Sequence, residues 1–158
     1  MAEIADVFFV DGVRTPFGRA GEKGMYWNTR ADDLAVKAMI GLLERNPDVP
    51  KDRIDEVAIA ATTQQGDQGL TLGRTTALLA GLPRSVPGYA IDRMCAGAMT
   101  AVTQVGSAIA FGAYDFAIAG GVEHMGRHPL GADADPNPRF LSEKLVSADA
   151  PATRPERR

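Results

Sequence analysis

The chain has 158 residues, of which 45% are hydrophobic and 23% charged, and its formal net charge at pH 7 is −3. This composition is typical of a globular domain, and the sequence shows neither the basic patch of a nucleic-acid-binding protein nor an apolar run long enough to span a membrane. The single cysteine, Cys95, excludes an intrachain disulfide and a cysteine-rich metal site, so we expect a reducing, cytoplasmic compartment.

The first half of the chain alternates predicted strands and helices. Residues 4–10 are predicted to form a buried strand, because Val7, Phe8, Phe9 and Val10 are consecutive apolar residues, as in parallel sheets. A helix is predicted over residues 29–45, with Thr29 at its start as the capping residue. A second strand over 57–61 and a second helix over 70–79 follow.

The second half continues this alternation. A third strand over 88–91 runs directly into Cys95, and a helix rich in small residues on nearly all sides follows and ends at Gly112. Such a helix is predicted to be buried among neighbours. A fourth strand over 116–119 precedes Gly120 and Gly121. Four strands alternating with helices predict an α/β fold whose mainly parallel or mixed sheet is covered by helices.

The pattern changes after Gly121. Residues 1–121 are therefore predicted to form the α/β core, and residues 122–147 to begin a loop excursion from the sheet. Residues 148–158 contain two prolines and almost no apolar side chains, which predicts a disordered, divergent tail.

Cys95 is the candidate catalytic residue. A cysteine at the start of a helix meets unpaired backbone N–H groups and the positive end of the helix dipole, which favour the nucleophilic thiolate. Cys95 also follows a strand, and ligands gather at the carboxyl ends of strands in such sheets. The alternative is a buried cysteine that serves as a small apolar residue.

Four ordered motifs resemble the N-terminal half of the thiolases. They are residues 11–18 (DGVRTPFG), 80–88 (AGLPRSVPG), 92–99 (DRMCAGAM) and 119–125 (AGGVEHM). The resemblance covers about residues 4–147 and is closest to the acetyl-CoA acetyltransferase or bacterial fatty-acid and sterol thiolase branch. Asp92 and His124 depart from the asparagine and serine that are usual in this family, so substrate preference or the charge near Cys95 could differ.

The resemblance implies a function. Cys95 would be the nucleophile that forms an acyl-thioester in the cleavage of 3-ketoacyl-CoA or the condensation of acetyl-CoA units. Coenzyme A and acyl-CoA would be substrates, with no metal and no bound cofactor; no coenzyme-A-binding residue is assigned. Full-length family members form homo-oligomers.

The resemblance also implies missing parts. The second half of a thiolase carries an activating histidine in a Gly-His-Pro motif, a second cysteine and an asparagine that positions a water molecule, and this sequence has no counterpart of them. His128-Pro129 lies in the wrong half, so His124 and His128 are interpreted as solvated or locally hydrogen-bonded loop residues. We therefore expect a truncated chain, from a frameshift or premature stop, that is inactive alone and needs a complementing chain.

Other interpretations stay open. The chain could be a non-catalytic thiolase remnant that binds another subunit, a ketoacyl synthase, or an unrelated doubly wound binding module. Residues 66–69 (GDQG) lack the lysine of a phosphate-binding loop and are interpreted as a loop at a helix start. Met94, Met99 and Met125 could line an acyl pocket, although core packing is the commoner use of methionine.

Overall fold

A computed structural model describes residues 4–138. It is an α/β structure built around a three-stranded sheet, in which a strand is paired on each side of a central one. The elements are α1 (Ala31–Arg45), β1 (Glu56–Ala60), α2 (Leu72–Leu79), β2 (Tyr89–Ile91), α3 (Gly97–Ala110) and β3 (Ala117–Gly121), with 3-10 turns at Lys51–Arg53, Gly66–Gln68 and Met94–Ala96.

Strand β1 is the centre of the sheet. Both neighbours pair with it in parallel, with Ala58 opposite Tyr89 of β2 and Ala119 of β3, in the order β2-β1-β3. All five residues of β1 are buried, because helices cover both of its faces. The predicted parallel sheet is confirmed, and its carboxyl edge brings the loops after all three strands to one end of the molecule.

The side chains of β1 alternate between two apolar clusters. Val57 and Ile59 face α1 and α2, where they join Met39 and Leu72. Ala58 and Ala60 face α3, in a cluster completed on the helix by Ala101 and Val105. Each large side chain buried in this way stabilises the fold by about 1.5–3 kcal/mol, so the helices are held to the sheet mainly by apolar burial.

The prediction of a buried strand over residues 4–10 is wrong. This segment has no regular secondary structure, and Phe8 and Phe9 are 80% and 85% exposed. Its one backbone hydrogen bond within the described residues runs from Ala5 N–H to Ala110 O at the end of α3, at 3.0 Å. Consecutive apolar residues do not specify which strand they pair with, and the described part of the chain brings no strand alongside this segment.

Two helices also differ from their predictions. Helix α2 begins at Leu72 and not at residue 70, because Leu70 and Thr71 have left-handed backbones with φ of 57° and 55°. Helix α3 is not surrounded by neighbours, since Met99 and Val102 on one side are 69% and 49% exposed. The small residues on nearly all sides of α3 led to the prediction that the whole helix is buried, but only the side that faces the sheet is buried.

No helix within residues 4–138 is both long enough and apolar enough to cross a bilayer. The predicted tail over 148–158, and residues 139–147 of the predicted loop excursion, lie outside the described residues.

Candidate active site

Cys95 lies at the carboxyl end of the sheet. It belongs to the turn Met94–Ala96, which joins the end of β2 to the start of α3, and its side chain is exposed. Gly97, the first residue of α3, approaches β1 so closely that an added Cβ would lie 2.7 Å from the Cβ of Ala60. Cys95 therefore lies two residues before a tight contact between helix and sheet, which fixes its position. Because its side chain is exposed, the interpretation of Cys95 as a buried apolar residue is wrong.

The backbone before Cys95 is strained. Met94 has a φ of 49°, in the left-handed region that costs a non-glycine residue about 1–2 kcal/mol. Its N–H donates a hydrogen bond to Oδ1 of Asp92 at 3.3 Å, which supports the bend. The side-chain oxygen of an asparagine could accept the same bond. The aspartate at position 92 therefore preserves the turn and adds a negative charge beside it.

The two glycines that end β3 adjoin this turn. An added Cβ on Gly121 would lie 3.1 Å from both the carbonyl oxygen of Ala60 and the Cβ of Ala98. This crowding brings the ends of β1 and β3 against the first turn of α3. Gly121, the second of the two glycines that end β3, therefore allows close packing at the edge of the sheet where Cys95 is exposed.

Glu123 anchors the loop after β3 to the loop after β1. Its Oε2 accepts a hydrogen bond from Thr62 N–H at 2.7 Å, and its Oε1 accepts one from Nε2 of Gln68 at 3.0 Å. Gln68 is completely buried, and its own Oε1 accepts a bond from His124 N–H at 2.6 Å. These three bonds lock the two loops together directly beyond the sheet.

His124 is a structural residue within this arrangement. Its side chain is buried, and Nε2 lies 2.8 Å from the carbonyl oxygen of Tyr26, which can only accept a hydrogen bond. Nδ1 accepts a bond from Arg127 N–H at 3.2 Å, so the hydrogen resides on Nε2. The prediction of local hydrogen bonding is confirmed for His124, and solvation is excluded.

Asp67 forms a second buried cluster next to the first. Its carboxylate contacts Nε2 of His128 and, at 3.1 Å, Nε of Arg127, and its Oδ2 accepts a bond from Ala31 N–H at 3.3 Å. Burial by itself would raise the pKa of the Asp67 carboxyl. The hydrogen bonds from His128 and Ala31 and the charge of Arg127 outweigh that effect, and the pKa lies below its ordinary value.

Asp67 also caps helix α1 from a distance. The residue at the cap position of α1 is Arg30, whose side chain makes no capping bond, so Asp67 supplies the acceptor for the first helical N–H. The prediction that Thr29 caps the helix is wrong. Residues 66–69 are interpreted from the sequence as a loop at a helix start, and Asp67 within them also contributes to the start of a helix 36 residues earlier.

The structure separates the nucleophile candidate from both histidines. The two ring nitrogens of His124 are engaged by Tyr26 and Arg127, and Nε2 of His128 by Asp67. Cys95 is thus exposed at the surface, and none of the described residues places a base in hydrogen-bonding contact with it.

Met94, Met99 and Met125 are 56%, 69% and 40% exposed, so they are not core residues.

Sequence reasoning missed the roles of Asp67, Gln68 and Glu123. Apart from Thr63, which accepts a bond from Gln68, their partners lie between 36 and 61 residues away, and no local spacing reveals such a pairing. One signal was present, since polar side chains that follow neighbouring parallel strands must meet at the carboxyl edge of the sheet. Applied to the residues after β1 and β3, that rule would have paired these loops.

Comparison with known proteins places these features in a family. Residues 7–151 match the family model described as "Thiolase, N-terminal domain". The chain is 46% identical over 125 residues to the beta-ketoadipyl-CoA thiolase of Pseudomonas putida, an alignment that covers 79% of this chain and 31% of that protein. It is 43% identical over 139 residues to a 3-ketoacyl-CoA thiolase of Pseudoalteromonas translucida, covering 88% of this chain and 36% of that protein.

A solved structure agrees. The crystal structure of the Bacillus anthracis acetyl-CoA acetyltransferase superposes with a TM-score of 0.62 at 30% sequence identity, over 75% of this chain and 31% of that chain. In both comparisons the chain spans about a third of the length of the relatives that it matches.

Proposed function

Because this chain belongs to the thiolase family, we propose that it carries the acyl-accepting part of an acyl-CoA C-acyltransferase, with Cys95 as the nucleophile. The observation that supports this proposal is the position of Cys95. It is exposed, follows the end of a parallel strand, and directly follows a residue with a strained left-handed backbone. Such strain persists only where the surrounding structure enforces it, and it is common where a reactive group is presented.

The proposed chemistry is acyl transfer in two steps. The Cys95 thiolate attacks the thioester carbonyl of an acyl-CoA, or the 3-keto carbonyl of a 3-ketoacyl-CoA, and forms a new C–S bond. The leaving group is the coenzyme A thiolate in the first case and the enolate of acetyl-CoA in the second, and the enolate takes up a proton. Coenzyme A, or the enolate of acetyl-CoA, then takes the acyl group from Cys95.

The substrate class follows from the relatives. Their names specify beta-ketoadipyl-CoA, 3-ketoacyl-CoA and acetyl-CoA, which share the coenzyme A thioester and differ in the acyl group. We therefore propose coenzyme A thioesters as substrates, with neither a metal nor a bound cofactor required for the transfer. A role in fatty-acid metabolism fits the 3-ketoacyl-CoA relatives.

This chain supplies the nucleophile but not the proton transfers. Both of its histidines have structural partners, and the family resemblance assigns the activating histidine and the second cysteine to sequence that is not among these residues. We infer that the 158 residues alone turn over slowly or not at all, and that activity requires the remaining part of the fold.

Acylation of Cys95 tests the proposal. The purified chain is incubated with radiolabelled acetyl-CoA, quenched in acid and digested, and we expect a hydroxylamine-sensitive label on the peptide that contains Cys95. Cys95→Ala should lose the label, and Cys95→Ser should lose the hydroxylamine-sensitive thioester. Equal labelling of wild type and Cys95→Ala, or no thioester at any acetyl-CoA concentration, would contradict it.

A non-catalytic interaction role is the second candidate. The exposure of Phe8, Phe9 and Val10, at 80%, 85% and 64%, favours it, because apolar side chains exposed together mark binding surfaces. One assay distinguishes the two candidate functions. The chain is mixed with the remaining part of a thiolase, and thiolysis of acetoacetyl-CoA by the mixture is measured. If the mixture is active and Cys95→Ala is not, the catalytic role is supported.

A further inference from the structure

Glu123 belongs to a hydrogen-bond network in which the direction of every bond is fixed. Its Oε2 accepts a bond from Thr62 N–H at 2.7 Å, and its Oε1 accepts one from Nε2 of Gln68 at 3.0 Å. The amide of Gln68 cannot turn over, because Nε2 also donates to the carbonyl oxygen of Thr63 at 2.7 Å and Oε1 accepts the bond from His124 N–H. Both carboxylate oxygens of Glu123 therefore face donors.

This position requires a side chain with two acceptor atoms. Glu123 itself is exposed, but Thr62 is only 9% exposed and Gln68 is completely buried, so their donors are largely out of reach of water. A glutamine at position 123 could accept only one of the two bonds, because its amide nitrogen would face the donor of Gln68. The carboxylate therefore completes a network whose other members have no alternative arrangement.

The bond to Thr62 fixes the chain just beyond the end of β1. The residue before it, Ala61, donates its N–H to the carbonyl oxygen of Ile91 at 3.2 Å. Ile91 is the last residue of β2 and lies four residues before Cys95. Two consecutive N–H groups after β1 therefore have different partners. One is bonded to the strand that leads to Cys95, and the other is bonded to the carboxylate of Glu123.

The turn that contains Cys95 also packs on the end of β1. Ala60, the last residue of that strand, lies so close to Gly97 that the glycine has no room for a side chain. The turn itself is closed by a bond from Ala96 N–H to the carbonyl oxygen of Arg93 at 3.1 Å. A displacement of the end of β1 would therefore reach the turn through the packing at Gly97 as well as through β2.

We propose that Glu123 is a positioning residue for Cys95. By holding Thr62 it holds the end of β1, and the end of β1 supports the turn that presents the nucleophile. Both oxygens of Glu123 are engaged by Thr62 and Gln68, so it acts through the backbone and not on the substrate. A reacting group displaced by about 1 Å can react about a hundredfold more slowly. The proposal deepens the proposed function and rests on it for the role of Cys95.

Hydrogen exchange at the turn tests this proposal without any substrate. Glu123→Ala removes both acceptors, and because Glu123 is exposed the substitution opens no cavity in the core. We expect the amide of Ala96 to exchange about tenfold faster in the variant, measured by NMR spectroscopy, because the turn opens more easily. Acylation of Cys95 by radiolabelled acetyl-CoA, measured in parallel, should be slower by about tenfold or more.

Asp55→Ala is the matched control. Asp55 joins the same two strands at their amino ends, where its Oδ2 accepts bonds from Asp115 N–H at 2.7 Å and Phe116 N–H at 3.0 Å. The bonds from Phe116 and Asp115 lower the pKa of this carboxyl, so they stabilise the fold at neutral pH. Asp55→Ala should therefore lower the free energy of unfolding in urea, as Glu123→Ala does, and leave the exchange of Ala96 unchanged.

A compensating pair of substitutions tests the network itself. Glu123→Gln alone places two donors against each other, whereas Glu123→Gln combined with Gln68→Glu exchanges donor and acceptor between the two side chains. In the double variant the carboxylate at position 68 can still accept the bond from His124 N–H, and the amide oxygen at position 123 can accept the bond from Thr62 N–H. The bond to the carbonyl oxygen of Thr63 is lost. We expect the double variant to recover part of the protection that the turn loses in Glu123→Gln.

Three results would overturn the proposal. One is exchange of Ala96 in Glu123→Ala at the wild-type rate, and another is an equal acceleration in Asp55→Ala, which would make it a consequence of global stability. The third is unchanged acylation of Cys95 in Glu123→Ala despite faster exchange. If Cys95 takes up no acyl group even in the wild-type chain, the proposed function is contradicted, whereas the response of the exchange rate to Glu123→Ala still supports the positioning of Cys95.

Discussion

Met94 holds a left-handed backbone immediately before Cys95 although its side chain is more than half exposed and packs little. The free-energy cost of that conformation is therefore not offset by burial of the methionine side chain. The conformation is maintained instead by the bond from Met94 N–H to Asp92 and by the close packing of Gly97 at the start of α3. At the scale of single residues, the candidate site therefore depends on the backbone conformation of Met94, and substitution of single residues tests this dependence.

Replacement of Met94 by glycine should stabilise the chain. Glycine removes the left-handed penalty of about 1–2 kcal/mol and adds unfolded-state entropy worth about 0.4–1 kcal/mol, so we expect a net gain of about 0.5–1 kcal/mol. Met99→Gly is the control, because Met99 is also more than half exposed but lies in α3, where glycine costs about 1 kcal/mol. Urea denaturation measures both; a loss in Met94→Gly as large as in Met99→Gly would contradict the assignment of strain.

Asp67 should make stability depend on acid pH. Its pKa is lower in the folded chain than the value of about 3.9 in an unfolded chain. The stabilisation is therefore complete above that value and is lost as the pH falls through the folded pKa. Asp67→Asn should lose about 3 kcal/mol at pH 7 and show a shallower decline below pH 4, because its side chain does not ionise.

The matched variant is Asp48→Asn, which alters an exposed aspartate in the turn after α1. Urea titrations at a series of pH values from 7 downwards should show wild-type behaviour for it. If Asp67→Asn kept the full acid dependence of the wild type, the buried cluster would not be its source.

At the scale of elements, the apolar pattern of the sequence predicts the positions of strands but not which strands pair with each other. The three sheet strands were placed within one or two residues, because a strand covered on both faces must be continuously apolar. The same signal over residues 4–10 failed, since the pattern contains no information about which strand lies alongside. Cys95 was found from its flanking residues, whereas Asp67 and His128 meet across 61 residues and leave no local trace.

Close packing of α2 on the sheet gives a prediction for this scale. An added Cβ at Gly73 would overlap the carbonyl oxygens of Val57 and Tyr89, so Gly73→Ala must push α2 off β1 and β2. We expect a loss of about 3 kcal/mol. Gly41→Ala in α1 meets nothing within 4 Å and should gain about 0.5–1 kcal/mol. Thermal unfolding compares them, and equal effects would contradict this account of helix packing.

At the scale of the whole molecule, stability is concentrated in the centre of the sheet. Strand β1 is completely buried and paired on both sides, whereas β3 has an open edge and residues 4–10 have a single backbone hydrogen bond among the described residues. Large apolar side chains remain exposed on the segment and on α3. The molecule therefore combines a well-packed interior with a periphery whose apolar groups are uncovered.

Hydrogen exchange should reproduce this gradient in the free chain. We expect the amides of β1 to be the slowest, those of β3 that face away from β1 to exchange faster, and those of residues 6–10 to exchange fastest, because local opening costs least where few contacts are lost. Mass spectrometry of peptides spanning each region measures the order. Residues 6–10 as protected as β1 would show that the segment forms the strand predicted from the sequence.

The buried carboxylate of Asp67 also bears on how the chain acquires its structure during synthesis. Its partner His128 is 61 residues further along, which at ribosomal rates is a delay of about 3–12 s. Until then the carboxylate that caps α1 lacks two of its partners, Arg127 and His128, and water must solvate it. The nascent amino-terminal helix and loop would remain open to proteases and chaperones through that interval, and arrival of the final loop would close both at once.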